Sequence, residues 1–258
     1  MTLMKIDELT PEHIASICDH TFLYRSESYK KTVVKGESPV RLRQAAFEAF
    51  LKKTAAGKLQ PYAICVRPED VKATIAFLKE AKKEQIRVAS VVGFPDGSNY
   101  TTDFKVAETI LAITHGAKEI DMVLDYDRLM AGRFADVSAD IKKVVAAAHE
   151  RKAIVKVILE TSELDKEHVQ KACQLCTEAH ADFVKTSTGF SASGANAENL
   201  TIMRQHFPGG VKMSSGVNKE NVNELLHAIS GRPDGYIELD PTKIRIGESS
   251  LLSKISDY

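Results

Sequence analysis

The chain is poor in cysteine, with four in 258 residues. That is too few for a disulfide framework, so the fold has to rest on a buried apolar core. Neither charge sign is in excess, since 35 basic residues face 35 acidic ones. A dedicated nucleic-acid binder usually carries a basic surplus, so no nucleic-acid partner is expected. No stretch approaches the length of apolar run that a membrane helix needs, so no membrane partner is expected. The opening MTLMKIDELTPEH has no apolar h-region. No secretory signal is therefore expected, and the expected location is cytoplasmic, in a reducing cytosol. Hydrophobic content of 43% with 27% charge excludes a disordered, collagen-like or coiled-coil chain.

What is present is a series of short runs rich in Val and Ile. They read AICV at 63–66, RVASVVGF at 87–94, EIDMVL at 119–124, AIVKVIL at 153–159, DFVK at 182–185, VKM at 211–213 and IRI at 244–246. A weaker candidate is ICDHTFL at 17–23, and YIEL at 236–239 is an ambiguous extra. The runs are nearly continuous rather than alternating, as parallel strands covered on both faces require. Between them lie helix-length amphipathic patterns at 40–55, 69–83, 104–115, 137–149, 164–179, 197–206 and 219–229, with apolar residues at i, i+3/i+4 spacing.

Alternating strands and helices argue for a parallel sheet. Eight strand–helix units in this length suit an α/β fold of the (β/α)8 TIM-barrel type, a single domain over 1–258. A doubly wound sheet is the rival, but the glycine fingerprint GxGxxG is missing after the first strand. The one irregularity is residues 24–39, polar and without periodicity. Together with the following helix they form a basic connection, for residues 25–58 carry a net charge of +6. A short C-terminal tail ends the chain.

Several strand runs contain ionisable groups: Asp121, Lys156, Lys185 and Lys212. A charge in a dry core is costly unless paired. Each is expected either to snorkel to the rim or to point into the barrel mouth. Lys185 and Lys212 stand at the C-terminal ends of their strands, where enzymes of this fold place catalytic groups. The plainer reading of any one of them is a structural ion pair. Two lysines and an Asp on one barrel face favour chemistry. A neutral amine attacks a carbonyl to form a Schiff base, and burial and a second cation both favour the neutral form. Neighbouring strands six and seven let Lys185 and Lys212 supply this for each other.

Glycine-rich turns follow the late strands: STGFSASG at 187–194, SSG at 214–216 and GESS at 247–250. Barrels of this kind often bind phosphate with the loops after strands seven and eight. The competing reading is plain turn and cap chemistry. GFSASG lacks the GK[ST] ending of a P-loop, so nucleotide binding is unsupported. Cys173, Cys176 and His180 lie on one predicted helix without further ligands and read as packing, not zinc. The eight His form neither HExxH nor a cluster. Cys65 reads as core.

These segments are similar to the deoxyribose-phosphate aldolase family, class I aldolases of the (β/α)8 fold. The resemblance covers nearly the whole chain. It is carried by DHTFL at 19–23, AICVRP at 63–68, VASVVGFPDG at 88–97, EIDMVLDY at 119–126, VKVILETSEL at 156–164, DFVKTSTGF at 182–190, VKMSSGV at 211–217 and IRIGESSLL at 244–252. It implies reversible cleavage of 2-deoxy-D-ribose 5-phosphate to acetaldehyde and D-glyceraldehyde 3-phosphate. It implies no cofactor and no metal. Lys185 would form the Schiff base and Lys212 would keep its pKa low. Asp121 would act with Lys212, through water, as general acid/base. Thr188 and Gly189 would hold the substrate's hydroxyl and phosphate side, and Ser215, Gly216, Ser249 and Ser250 would line the phosphate pocket. Lys156 would be an accessory charge. Tyr258 either reaches the active site, as a terminal Tyr does in some members, or is an exposed end residue. Members are often dimers or larger, so a homo-oligomer is compatible with the resemblance.

The chain departs from the family pattern at three places. Ser215 stands where Gly is usual, Asn218 where Arg is usual, and Glu248 where a small residue is usual. A lost cation and a gained carboxylate should weaken phosphate binding, severely if Glu248 points inward and little if it faces solvent. Two alternatives to an ordinary aldolase follow. One is an aldolase with altered phosphate recognition. The other is a binding or scaffold protein on an aldolase barrel that uses the basic 25–58 segment.

Overall fold

The structure is a computed structural model that describes residues 3–31, 34 and 37–256. In chain order its strands are β1 (Leu3–Lys5), β2 (Cys18–Phe22), β3 (Ala63–Val66), β4 (Arg87–Val92), β5 (Glu119–Val123), β6 (Ile154–Ile158), β7 (Phe183–Lys185), β8 (Gly210–Ser214), β9 (Tyr236–Glu238) and β10 (Ile244–Glu248). Eight of them close a parallel barrel in the order β10-β2-β3-β4-β5-β6-β7-β8. These eight are the seven Val/Ile-rich runs and the weaker candidate at 17–23. The fold is thus a single-domain (β/α)8 barrel.

The reason is visible in burial. β3, β5 and β8 are buried at every position, as strands with helices outside and side chains inside must be. The ambiguous YIEL segment is a strand but no part of the barrel. As β9 it pairs antiparallel with β1, Met4 opposite Ile237. The strand at Leu3–Lys5 is not apparent from sequence, because three residues carry no usable periodicity.

Helices cover the outside at Pro39–Ala56, Val71–Glu80, Thr102–Thr114, Phe134–His149, Lys166–Glu178, Ala197–His206 and Val222–Ser230. Each expected helix is there, with ends moved by a few residues. Three of these starts are fixed by a side-chain cap. The Thr101 hydroxyl accepts from Phe104 N, the Asp165 carboxylate from His168 N and the Asn196 carbonyl from Asn199 N, each satisfying an orphan donor of a first turn. Phe134–His149 turns Val137, Ile141, Val144, Val145 and Ala148 to the sheet, all buried. Ile141→Ala would cost about 2–5 kcal/mol by opening a cavity there.

Cys173 and Cys176 are buried on their helix, as expected for packing. Burial pushes the Cys173 thiol up to about 12. Among the described residues no group of His, Cys, Asp and Glu could hold a metal ion. No helix there is long and apolar enough to cross a membrane. In the basic 25–58 segment, Arg43 is committed to the fold. It pairs with Asp70, Nη1 to Oδ1 at 2.8 Å, and its guanidinium lies over the Phe22 and Phe47 rings.

Candidate active site

Along a strand, residues two apart share a face. Glu119 and Asp121 of β5 therefore point the same way, and in this barrel that way is inward. Asp19 of β2, Lys156 of β6, Lys185 of β7, Lys212 of β8 and Arg245 of β10 join them. None of the seven is more than 3% exposed. In a water-poor interior such charges persist only when paired, and the contacts supply the pairing.

Asp121 is the hub. Its Oδ1 accepts from Lys156 Nζ at 2.8 Å. Its Oδ2 accepts from Lys212 Nζ at 2.8 Å and from Lys185 Nζ at 3.0 Å. Lys212 also donates to Asp19 Oδ2 at 2.5 Å. Below the hub, Lys156 Nζ lies 2.6 Å from Glu119 Oε2. Arg245 ties the base together, with Nη1 on Asp19 and Nη2 on Glu119 at 2.6 Å, while its guanidinium lies over the Tyr62 ring at 3.9 Å.

The arrangement divides the lysines. Burial opposes a charge on each of them. For Lys212 the nearby Asp121 and Asp19 outweigh burial and raise its pKa. Asp121 and Glu119 do the same for Lys156. For Lys185, burial and then the Lys212 charge win, and its pKa falls below the ordinary lysine value despite Asp121. Burial works against the Asp121 carboxylate too, but Lys156, Lys212 and Lys185 hold its pKa well below the usual range. Arg245, Lys212 and Lys156 do likewise for Asp19.

A cavity of 390 Å³ opens above this cluster at the C-terminal ends of the strands. Lys185, Thr188, Gly189, Ser215, Gly216, Ser249 and Ser250 all line it. Seven of the residues singled out from sequence thus meet in one place. Lys156, Lys212 and Asp121 do not line it. The expectation that each strand lysine reaches the rim or the mouth is therefore corrected for Lys156 and Lys212. Both stay inside the barrel, because carboxylates there supply the pairing. Asp121 and Lys212 are in direct contact.

Local backbone explains the lip of the cavity. Ser215 has φ +69° and Gly216 φ +72°, both left-handed. Gly suits such a position and Ser is strained there, so the Gly-to-Ser departure has a conformational cost. Gly247 of β10 is required by close approach. A Cβ there would overlap the Ser214 hydroxyl and stand 3.0 Å from Lys212 Cε.

Glu248 follows neither course expected of it. It is buried on the cavity wall, bonded to His20 Nδ1 through Oε1, and its Oε2 accepts from Leu252 N at 3.3 Å. Asn218 is turned into its own loop, where Oδ1 accepts from Glu220 N at 2.9 Å and Asn221 N at 3.1 Å. The Thr188 hydroxyl is engaged as well. It donates to Glu160 Oε2 and accepts from Phe190 N at 3.1 Å. Tyr258 lies outside the described residues.

Sequence reasoning passed over Asp19, Glu119 and Arg245, although all three lie in apolar strand runs. The argument that picked out Asp121 and the lysines applies to them equally. It also passed over Glu160, which ends the β6 region with φ +55°, and Lys254, which lines the cavity from the short helix Leu251–Ile255. Cys65, read as core, is buried but not inert filling. Its Sγ lies 3.8 Å from Asp121 Oδ2, and burial, then the Asp121 charge, push the thiol up to about 11.

Comparison with known proteins finds aldolases of one family. The description "DeoC/LacD family aldolase" matches residues 18–231. A deoxyribose-phosphate aldolase of Clostridium perfringens is 45% identical over 208 residues, covering 80% of this chain and 83% of that one. Deoxyribose-phosphate aldolase 2 of Bacillus licheniformis is 40% identical over 216 residues, covering 83% and 87%. The solved deoxyribose phosphate aldolase of Aeropyrum pernix, described as a unique tetramer, superposes with TM-score 0.71 at 22% identity, covering 98% and 93%. At that identity it speaks for the fold alone.

Proposed function

The chain belongs to the DeoC/LacD family of aldolases, and from that premise we propose how its own residues run the reaction. The activity is that of a class I aldolase, a lyase. It reversibly cleaves 2-deoxy-D-ribose 5-phosphate to acetaldehyde and D-glyceraldehyde 3-phosphate. One observation carries the assignment of roles. Among the described residues Lys185 alone of the buried lysines lines the cavity, and its pKa is lowered.

Lys185 is the nucleophile. Its neutral amine adds to the C1 carbonyl, and loss of water from the carbinolamine leaves an imine. The two-carbon product identifies the bond that breaks as C2–C3. Its electron pair moves into the protonated imine and gives an enamine, while the C3 hydroxyl loses its proton as the C3 carbonyl forms. Protonation at C2 and hydrolysis release acetaldehyde and restore the amine.

Asp121 and Lys212 are the general acid/base pair. Asp121 touches Lys185 and Lys212 through one oxygen, which suits it to relay a proton between them. Lys156 holds the other oxygen and so fixes the carboxylate's orientation, an accessory role. Thr188 and Gly189 face the sugar hydroxyls. Ser215, Gly216, Ser249 and Ser250 face the phosphate, with Lys254 as the nearby cation. No metal or cofactor enters these steps.

The four free, buried thiols support a reducing, cytoplasmic setting. The Aeropyrum pernix tetramer supports a homo-oligomer. Glu248 is engaged by His20 and Leu252 N, which supports phosphate recognition in spite of the carboxylate at the wall.

The test is hydride trapping. The protein is incubated with 2-deoxyribose 5-phosphate, reduced with borohydride, and the modified peptide is mapped by mass spectrometry. The expected adduct is on Lys185 and disappears in Lys185→Ala. An adduct elsewhere, or none on folded protein with acetaldehyde tested as well, would overturn the assignment.

A further inference from the structure

The barrel interior holds four cationic side chains, Lys156, Lys185, Lys212 and Arg245, against three carboxylates, Asp19, Glu119 and Asp121, all buried. A dry interior resists an uncompensated charge, so one of the cations is the natural one to give up its proton. Arg keeps its charge throughout. The contacts then select among the lysines. Lys156 lies within ion-pair distance of Glu119, Asp121 and Asp19, at 2.6, 2.8 and 3.7 Å. Lys212 meets Asp19 and Asp121. Lys185 meets Asp121 alone, on an oxygen that Lys212 already uses.

We propose that Arg245 and Glu119 are positioning residues for the aldol reaction: from the floor of the barrel, away from the cavity, their opposed charges set the pH at which Lys185 becomes the uncharged amine. The proposal rests on the reading of Lys185 as the Schiff-base lysine. Arg245 occupies Asp19 and Glu119 together, and in doing so withholds their negative charge from the lysines above. Glu119 pairs with Arg245 and Lys156, and its negative charge offsets part of the Arg245 effect on Lys185. Neither residue lines the cavity, and their ion pairs are with Asp19, Lys156, Arg87 and each other rather than with Lys185.

The groups facing each participant are these. Lys185 faces Asp121, Lys212 and the Cys65 thiol. Arg245 faces Asp19, Glu119, the Pro241 carbonyl and the Tyr62 and Phe183 rings. Glu119 faces Lys156, Arg245 and the half-exposed Arg87 at 3.8 Å. Asp19 faces Lys212, Arg245, Lys156 and, along its own strand, the Cys18 thiol.

Charge balance makes a prediction that plain structural support does not. Two residues of one ion pair should move the reaction's pH dependence in opposite directions. Arg245 stands in register with Lys212, and Lys212 with Lys185, so Arg245 and Lys185 are two strand spacings apart, roughly 10 Å. At that separation one unit charge changes a pKa by about one unit.

The experiment measures kcat/KM for acetaldehyde release across pH, by proton NMR, in wild type, Arg245→Met, Glu119→Gln, the double variant and Arg245→Lys. The acid limb reports the free-enzyme amine. Arg245→Met removes a cation, so the limb should move up by about one pH unit. Glu119→Gln removes an anion, so the limb should move down by a similar amount. The double variant removes both, and Arg245→Lys removes neither, so both should return near the wild-type midpoint. Movement of both single variants in the same direction, or of neither, overturns the proposal. If Arg245→Met does not fold by circular dichroism, Glu119→Gln and the double variant carry the test: a limb that fails to drop in the first and return in the second also overturns it. Failure of hydride trapping on wild-type Lys185 would overturn the aldolase assignment instead, and the two failures are therefore distinguishable.

Discussion

The floor and the mouth of the barrel are built on opposite plans. On the floor, with Lys185 at its top facing the cavity, seven charged side chains are buried and each is ion-paired. At the mouth Ser249 and Ser250 are exposed, Ser215 and Gly216 sit in left-handed turns, and Lys254 approaches from a short helix. The floor is strongly coupled, because charges in a low-dielectric interior act on one another over several ångströms. The mouth is weakly coupled, because water screens it. The departures from the family pattern, Ser215, Asn218 and Glu248, all fall at the mouth, whereas Asp121, Lys185 and Lys212 match it. A change at the mouth can be absorbed by its neighbours, as Glu248 is absorbed by His20. A change on the floor leaves a buried charge unpaired.

The contrast can be broken or sharpened by substitution, and the expected effects descend from floor to mouth. The largest belongs to Lys185→Ala, which should abolish the imine and reduce turnover by more than about a thousandfold, read as acetaldehyde release. A hydride adduct that persists in this variant would assign the chemistry elsewhere. Asp121→Asn should follow, with kcat reduced by about 10²–10⁴-fold through loss of the acid/base hub. It should also lower the melting temperature, because Lys156 and Lys212 lose a shared partner.

Lys212→Met should come next. The Lys212 charge lowers the Lys185 pKa, so its removal raises that pKa. The free amine is lost as pH falls through that value, so the acid limb of kcat/KM should move to higher pH. At neutral pH the rate should fall, and it should partly recover on raising the pH. An unchanged limb would separate Lys212 from the amine.

At the mouth the effects shrink. Lys254→Ala should raise KM for the 5-phosphate by roughly three- to tenfold, the scale of one exposed charge–phosphate contact. It should leave unphosphorylated deoxyribose unchanged. Equal losses on both substrates would place Lys254 outside phosphate recognition. The smallest effect is Ser215→Gly. Relief of the left-handed serine should add about 0.5–1 kcal/mol of stability, or roughly 1–3 °C in melting temperature. A lower melting temperature would mean that the serine side chain holds the loop.

Much of this molecule was legible before any coordinates. Seven of the barrel strands stood out as Val/Ile-rich runs, because a strand buried on both faces favours apolar residues throughout, and the eighth, at 17–23, was the weaker candidate. Lys185, Thr188, Gly189, Ser215, Gly216, Ser249 and Ser250 do meet at one cavity. Lys156 and Lys212, expected at the rim or in the mouth, lie beneath the cavity for a physical reason. The cost of burying a lysine is local and readable, whereas the carboxylates that offset it lie on other strands. Asp19, Glu119 and Arg245 were missed although each breaks an apolar run. The ribbon of Leu3–Lys5 on Tyr236–Glu238 was missed because three-residue strands have no period to read.

The sequence by itself determined the alternation of strands and helices, the barrel class and the residue types that could make and hold an imine. These are short-range properties, written in hydrophobic spacing and in single charged residues within apolar runs. Only the tertiary structure decided which lysine is exposed to the cavity and which remain beneath it. Closure of the barrel sets β10 beside β2 and brings Arg245 onto Asp19, 226 residues away in the chain. Electrostatic energy depends on distance through space and on the surrounding dielectric, and neither is a property of position along the chain.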